Sequence, residues 1–141
     1  MWSNKVLVVI VLLMGFSSAS LLAKGSLEPI DVVNNAPRCY VFVETLSVNG
    51  SILNSNDMYN RDMLNNIYVN FSNATMLISK GEAQAGTIPL LFNEATGEVR
   101  RIIIGYIAHK GDIDKESLKS FYDESSCEKY SKIIKSESWN L

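Results

Sequence analysis

A helical repeat of apolar side chains between residues 87 and 111, TIPLLFNEATGEVRRIIIGYIAHKG, constrains this chain more than any other feature. Val99, Ile102, Ile103, Tyr106 and Ile107 stand at i, i+3, i+4, i+7 and i+8, which puts all five on one stripe of an α-helix. The same step backwards reaches Ala95, Leu91 and then Ile88 or Phe92, so the stripe continues through Gly97 to the start of the stretch. Thr87 is a suitable cap, and Pro89 falls where a missing N–H costs little. Lys110 and Gly111 mark the other end, a cation in the last turn followed by a residue that tolerates positive φ. A helix of this kind must bury its stripe, so the other segments are read as its partners. Gly105 inside RIIIGYIA costs up to about 1 kcal/mol in a helix interior, which predicts close approach of another backbone there.

The first residues read as an address rather than as part of the fold. Met1 to Lys5 carries one positive charge, Val6 to Phe16 is an apolar run broken only by Gly15, and Ser17, Ser18, Ala19 and Ser20 are small. That run is about half of the roughly 20 residues that span a bilayer, so a cleaved signal over 1–23 is expected, with the membrane involved only through an uncleaved signal. Cleavage after Ala19, Ser20 or Ala23 is equally consistent with the letters. The product would be periplasmic or secreted.

Cleavage would remove Lys5 alone and leave 12 basic against 15 acidic side chains. A mildly acidic chain whose longest basic run is Arg100-Arg101 offers no clustered cationic face, so nucleic acid is not an expected partner. Two cysteines remain, Cys39 and Cys127. An even pair in an exported chain most often forms one disulfide, and catalytic or metal-binding cysteines normally come with a close second Cys or several His. We therefore expect Cys39–Cys127 as a structural bridge, with no metal and no cofactor.

Residues 24–37, with two prolines, an Asn pair and no apolar stripe, read as a flexible leader. From Arg38 to Asn54 two signals conflict. Cys39, Phe42, Val43, Leu46, Gly50 and Leu53 fit one helical face with Pro37 placed to start it, while Tyr40 to Val43 are strand formers and Asn49-Gly50 is a strong hairpin signal. Helix is preferred because the segments downstream are helical. Between Asn56 and Ser79, Tyr59, Met63, Ile67, Phe71, Ala74 and Ile78 form one stripe flanked by Leu64 and Tyr68. Asp114 caps a last helix running from Lys115 to about Lys135, with Leu118, Phe121, Tyr122, Cys127, Tyr130, Ile133 and Ile134 on its inner side. The tail 136–141 carries Trp139.

The fold expected is all-α: a small disulfide-stapled four-helix up-and-down bundle over 38–135, with α+β and a hairpin at 39–53 as the alternative. In an up-and-down order the start of the first helix lies beside the far half of the fourth, where Cys39 and Cys127 fall.

Chemistry is sparse. His109, the only histidine, precedes Asp112, Asp114 and Glu116, so a general base oriented by a carboxylate can be drawn. No strained turn presents a nucleophile, and a histidine at a helix C-terminus is more simply a cation matched to the dipole. Asp112-Ile113-Asp114 opens like a calcium loop, but position 117 is Ser and position 123 is Asp where that pattern needs Gly and Glu. Three sequons, at Asn49, Asn70 and Asn73, are about what chance supplies. Tyr40, Tyr59, Tyr68, Tyr106 and Tyr122 lie on or beside core stripes, where one or two can border a docking patch. The binding residues expected are Tyr106, His109, Asp112 and Asp114. Lacking catalytic groups, the chain reads as an exported protein that binds another exported or envelope protein, as an immunity or inhibitor protein for example. A structural or assembly factor of the cell envelope and a hydrolase using His109 are the alternatives.

Overall fold

A computed structural model describes residues 27–48, 57–110, 115–135 and Trp139. The described residues are mostly helical and contain no strand: α1 (Pro29–Val48), α2 (Asp57–Ile78), α3 (Thr87–Lys110), α4 (Lys115–Glu124) and the single turn α5 (Cys127–Tyr130). Residues 49–56, with the Asn49 sequon and the rest of the hairpin signal, and residues 111–114 lie outside the described set. Through Val48 the chain is helix, so the hairpin alternative fails over 39–48.

The element that organises the molecule is α1, not the 87–111 stretch. It packs against α2, α3, α4 and α5, and most extensively against α2. Its inner line, Val32, Ala36, Cys39, Val43 and Leu46, is spaced alternately four and three residues apart and is fully buried. That spacing keeps one seam facing its partners along the whole helix. Two members of the line, Val32 and Ala36, fall in the stretch expected to be a flexible leader. The helix starts at Pro29, with Asp31 in its first turn, rather than at Pro37. Pro37 instead lies inside the helix, where it removes one backbone hydrogen bond. Burial of Pro37 itself and of its neighbours offsets that loss, which is tertiary packing overriding local propensity.

On α2 the stripe is as expected over Met63, Ile67, Phe71 and Ala74, all buried, while Ile78 is exposed beyond the core. The helix ends in a Schellman turn, with Gly81 N–H donating to the Met76 carbonyl at 2.9 Å and Lys80 N–H to that of Leu77 at 3.1 Å. Lys80 and Gly81 both take positive φ there, 54° and 79°.

The first half of α3 buries Ile88, Phe92 and Thr96, one turn apart. Its second half overhangs the bundle on one side, while Ile103 packs against the core. Ile102, Ile104 and Tyr106 are 57%, 62% and 49% exposed. A Cβ built on Gly105 meets nothing within 4 Å, so the close backbone approach expected there does not occur among the described residues. The stripe periodicity was a true helix signal, but an apolar stripe is buried only where another element lies against it.

The last expected helix, 115–135, is broken. Ser126 takes the left-handed conformation (φ 53°, ψ 38°), and the chain restarts as α5. A non-glycine residue there costs about 1 kcal/mol. The break turns Cys127 inward, where it is joined to Cys39 across 88 residues with a Cα–Cα distance of 5.3 Å. Both cysteines are fully buried. A disulfide sealed in the core belongs to an oxidising compartment. Among the described residues no helix is long and apolar enough to cross a membrane. The tail folds back: Trp139 is buried and forms a parallel bridge with Leu27, bringing the two ends of the described chain together.

Candidate functional site

The expected binding set does not assemble within the described residues. Tyr106 is exposed on the overhang, and His109 falls in the last turn of α3 with its side chain outside the described set. Asp112 and Asp114 lie outside it altogether. Among the described residues no group of three or more His, Cys, Asp or Glu is placed to hold a metal ion.

The most structured concavity is a groove of about 400 Å³ between α1, α2 and α3. Phe92 forms its floor because it sits one turn from both Ile88 and Thr96 on the buried side of α3. Three rings surround it: Tyr40 from α1 edge-on at 5.0 Å, Tyr68 from α2 edge-on at 5.1 Å and Phe71 tilted at 5.0 Å. Such edge-to-face contacts add about 0.5 to 1.5 kcal/mol each beyond burial. Tyr40 and Tyr68 are half-buried and, with Leu64, wall the groove.

The rim is polar. Arg100 closes one end through a two-pronged ion pair with Glu44 of α1, Nε–Oε2 at 2.8 Å and Nη2–Oε1 at 3.0 Å. Its Nη1 also donates to Thr96 Oγ1 at 3.3 Å. That hydroxyl is buried and donates in turn to the Phe92 carbonyl at 2.9 Å. The hydrogen bonds that Arg100 donates to the Glu44 carboxylate raise the guanidinium pKa above its ordinary value. Both partners stand more than a third exposed, so the pair is worth at most about 1 kcal/mol and acts mainly to orient Arg100. Arg61, Asn65 and Asn93 complete the rim, all exposed.

A second depression, of about 460 Å³, lies along α4 and α5 between Tyr122 and Lys132. Of its charged side chains, Asp123 is paired with Lys119 and Glu128 with Lys132, each one helical turn away, and Lys129 stands exposed. The Lys132 ammonium holds the Glu128 carboxyl below its ordinary range. Surface pairs of this kind explain the charges without a ligand.

Sequence reasoning missed a polar group buried in the core. Asn70 is fully buried in the middle of the α2 stripe. Its amide donates to the carbonyls of Tyr130 at 2.7 Å and Lys132 at 2.6 Å, and its Oδ1 accepts from the Ile134 N–H at 3.1 Å. Asn66 adds a bond to the Ser131 carbonyl at 3.1 Å. Asn70 is thereby unavailable to a glycan in the folded chain, whereas Asn73 is exposed. An asparagine centred on an apolar stripe was the available signal, because a buried amide must find partners.

Tyr130, 1% exposed beside this clasp, has its phenol pKa pushed up to about 12, first by burial and then by the Asp31 carboxylate, against a hydrogen bond with Asn35. The folded value exceeds the unfolded one, so the stability it contributes is intact below pH about 10 and is lost as pH rises toward about 12. The loss expected across that window is roughly 2 to 3 kcal/mol. Alkaline titration should show one tyrosinate appearing together with loss of helix, and Tyr130→Phe should flatten the stability profile above pH 10. A wild-type chain equally stable at both ends of the window contradicts this.

Comparison with known proteins finds no matching family model, no matching curated protein and no matching solved structure.

Proposed function

We propose that the chain is a small exported binding protein that works by contact with another exported or envelope protein, in the manner of an immunity or inhibitor protein. In this reading residues 1–23 are a cleaved signal, the helices follow one another up and down, and the disulfide preserves the scaffold in a periplasmic or secreted setting. The observation that carries it is the apolar overhang of α3, where Ile102, Ile104 and Tyr106 stand about half exposed or more within five residues. Ile102 and Tyr106, one turn apart, share a face, and exposed apolar side chains on a small stapled domain are a usual mark of a contact face.

The test places a photo-crosslinking phenylalanine analogue at Ile104 in the exporting host. Irradiation should trap one stoichiometric partner from the extracytoplasmic fraction, and the same group at Glu94, exposed on α3 outside the overhang, should trap none. Equal trapping at both positions, or none at either, overturns the reading. Sensitivity to a toxin after gene deletion would single out the immunity form.

A further inference from the structure

The groove between α1, α2 and α3 gathers neutral polar side chains that have no partner in the fold. α2 and α3, joined by the short connection 79–86, run antiparallel, so Arg61 before Tyr68 and Arg100 after Phe92 stand at the same end of the groove. Both guanidinium groups are engaged, Arg100 with Glu44 and Thr96 and Arg61 in an interaction of its own. They close that end and leave no charge free for a ligand. What is left open is uncharged. The amides of Asn65 and Asn93 and the hydroxyls of Tyr40 and Tyr68 make no hydrogen bond to other described residues, and all four side chains line the groove around Phe92 and Leu64. Each of these four groups can both donate and accept.

That set selects among ligands. A purely apolar molecule would strip water from the four groups and return nothing. An ion finds no free counter-charge. An extended peptide meets the closed end, and its backbone offers donors and acceptors on separate groups. A sugar ring satisfies both parts of the lining. Two neighbouring hydroxyls match one carboxamide, the first donating to its oxygen and the second accepting from its nitrogen. The ring's C–H face, slightly positive, suits the negative face of an aromatic side chain. A volume of about 400 Å³ lies at the small end of ligand sites, room for one or two such rings.

We propose that this groove binds the neutral end of a saccharide, with a C–H face of the sugar on the tyrosine rings and adjacent hydroxyls on Asn65 and Asn93. The site goes beyond the contact face on α3 and does not depend on it.

The experiment titrates the neutral methyl glycosides of glucose, galactose, mannose and N-acetylglucosamine into the disulfide-intact chain and follows backbone amide shifts by NMR. At least one should give saturable shifts centred on Tyr40, Asn65, Tyr68, Phe92 and Asn93. Asn65→Ala and Asn93→Ala, both at exposed positions, should each weaken that glycoside about fivefold, the worth of one neutral hydrogen bond, with the melting temperature unchanged. Tyr68→Phe keeps the ring and should weaken it by a similar factor. Asn93→Trp should block it. The methyl glycoside of glucuronate should bind no tighter than that of glucose, because neither guanidinium is free to meet its carboxylate. Silence toward all four neutral glycosides overturns the proposal, as do shifts indifferent to the two asparagine variants. Tighter binding of glucuronate, or of a blocked phenylalanine peptide at the same residues, overturns it as well. Ile104 does not line the groove, so silence here leaves trapping at Ile104 intact, and failure of that trapping leaves glycoside binding intact.

Discussion

Replacing both cysteines, Cys39→Ala with Cys127→Ala, should lower the free energy of unfolding by about 4 kcal/mol. The melting temperature should fall by at least about 15 °C for a domain of this size. Tying residues 88 apart removes loop entropy from the unfolded ensemble, and this bridge closes most of the domain. The native state also depends on it locally. α5 is four residues long, too short to be stable as an isolated helix, and it follows a left-handed Ser126 with no side-chain cap. Its anchorage is the Cys127 sulfur, the buried Tyr130 ring and the hydrogen bonds from α2. Without the bridge, amides of residues 127–135 should lose exchange protection before those of α1 and α2. The measurement is urea unfolding of wild type, with and without reductant, beside the double alanine variant. Coincident midpoints for oxidised and reduced protein would mean that the bridge is ornamental. Because both sulfurs are fully buried, reduction of the folded chain should itself wait on opening of the α5 segment.

The bridge was legible from two letters, since an even cysteine pair in a chain with an export-like start has few other uses. So was the helical character of 57–78 and 87–110, because period and caps agree there. What the letters did not reveal was which helix lies at the centre. Ile102, Ile104 and Tyr106 have the composition of a core stripe, yet they overhang the bundle, because periodicity reports helix geometry and not the presence of a neighbour. Conversely, Val32 and Ala36 looked incidental among prolines and asparagines, and they prove to be the start of the most buried line in the molecule. Ile30, Val32, Val33 and Ala36, two of them adjacent and all between two prolines, are too few to define a period by themselves. The groove was equally hidden: Tyr40, Tyr68 and Phe92 lie 28 and 24 residues apart in the chain and meet only through tertiary packing. Ser126 was invisible for another reason, since nothing in a serine announces a left-handed backbone.

Asn70→Ala should cost about 2 to 4 kcal/mol, the second largest effect expected of a local change. The substitution leaves the carbonyls of Tyr130 and Lys132 and the N–H of Ile134 without their partner. Each buried group left unsatisfied costs about 1 to 3 kcal/mol, reduced here because Lys132 and Ile133 are exposed to water. Asn70→Asp should be at least as damaging, since an ionised carboxylate cannot donate and would face two carbonyl oxygens. Asn73→Ala, exposed on the same helix, is the control and should stay within about 0.5 kcal/mol of wild type. The informative measurement is a cycle that combines Asn70→Ala with the double cysteine replacement. Disulfide and amide both fasten the chain between Cys127 and Ile134, one to α1 and the other to α2. If that segment moves as a unit, releasing one fastening weakens the other, and the combined loss should fall short of the sum by about 1 kcal/mol or more. Strict additivity would mean that the two act on separate pieces of structure, and the segment from Cys127 to Ile134 would then not move as a unit.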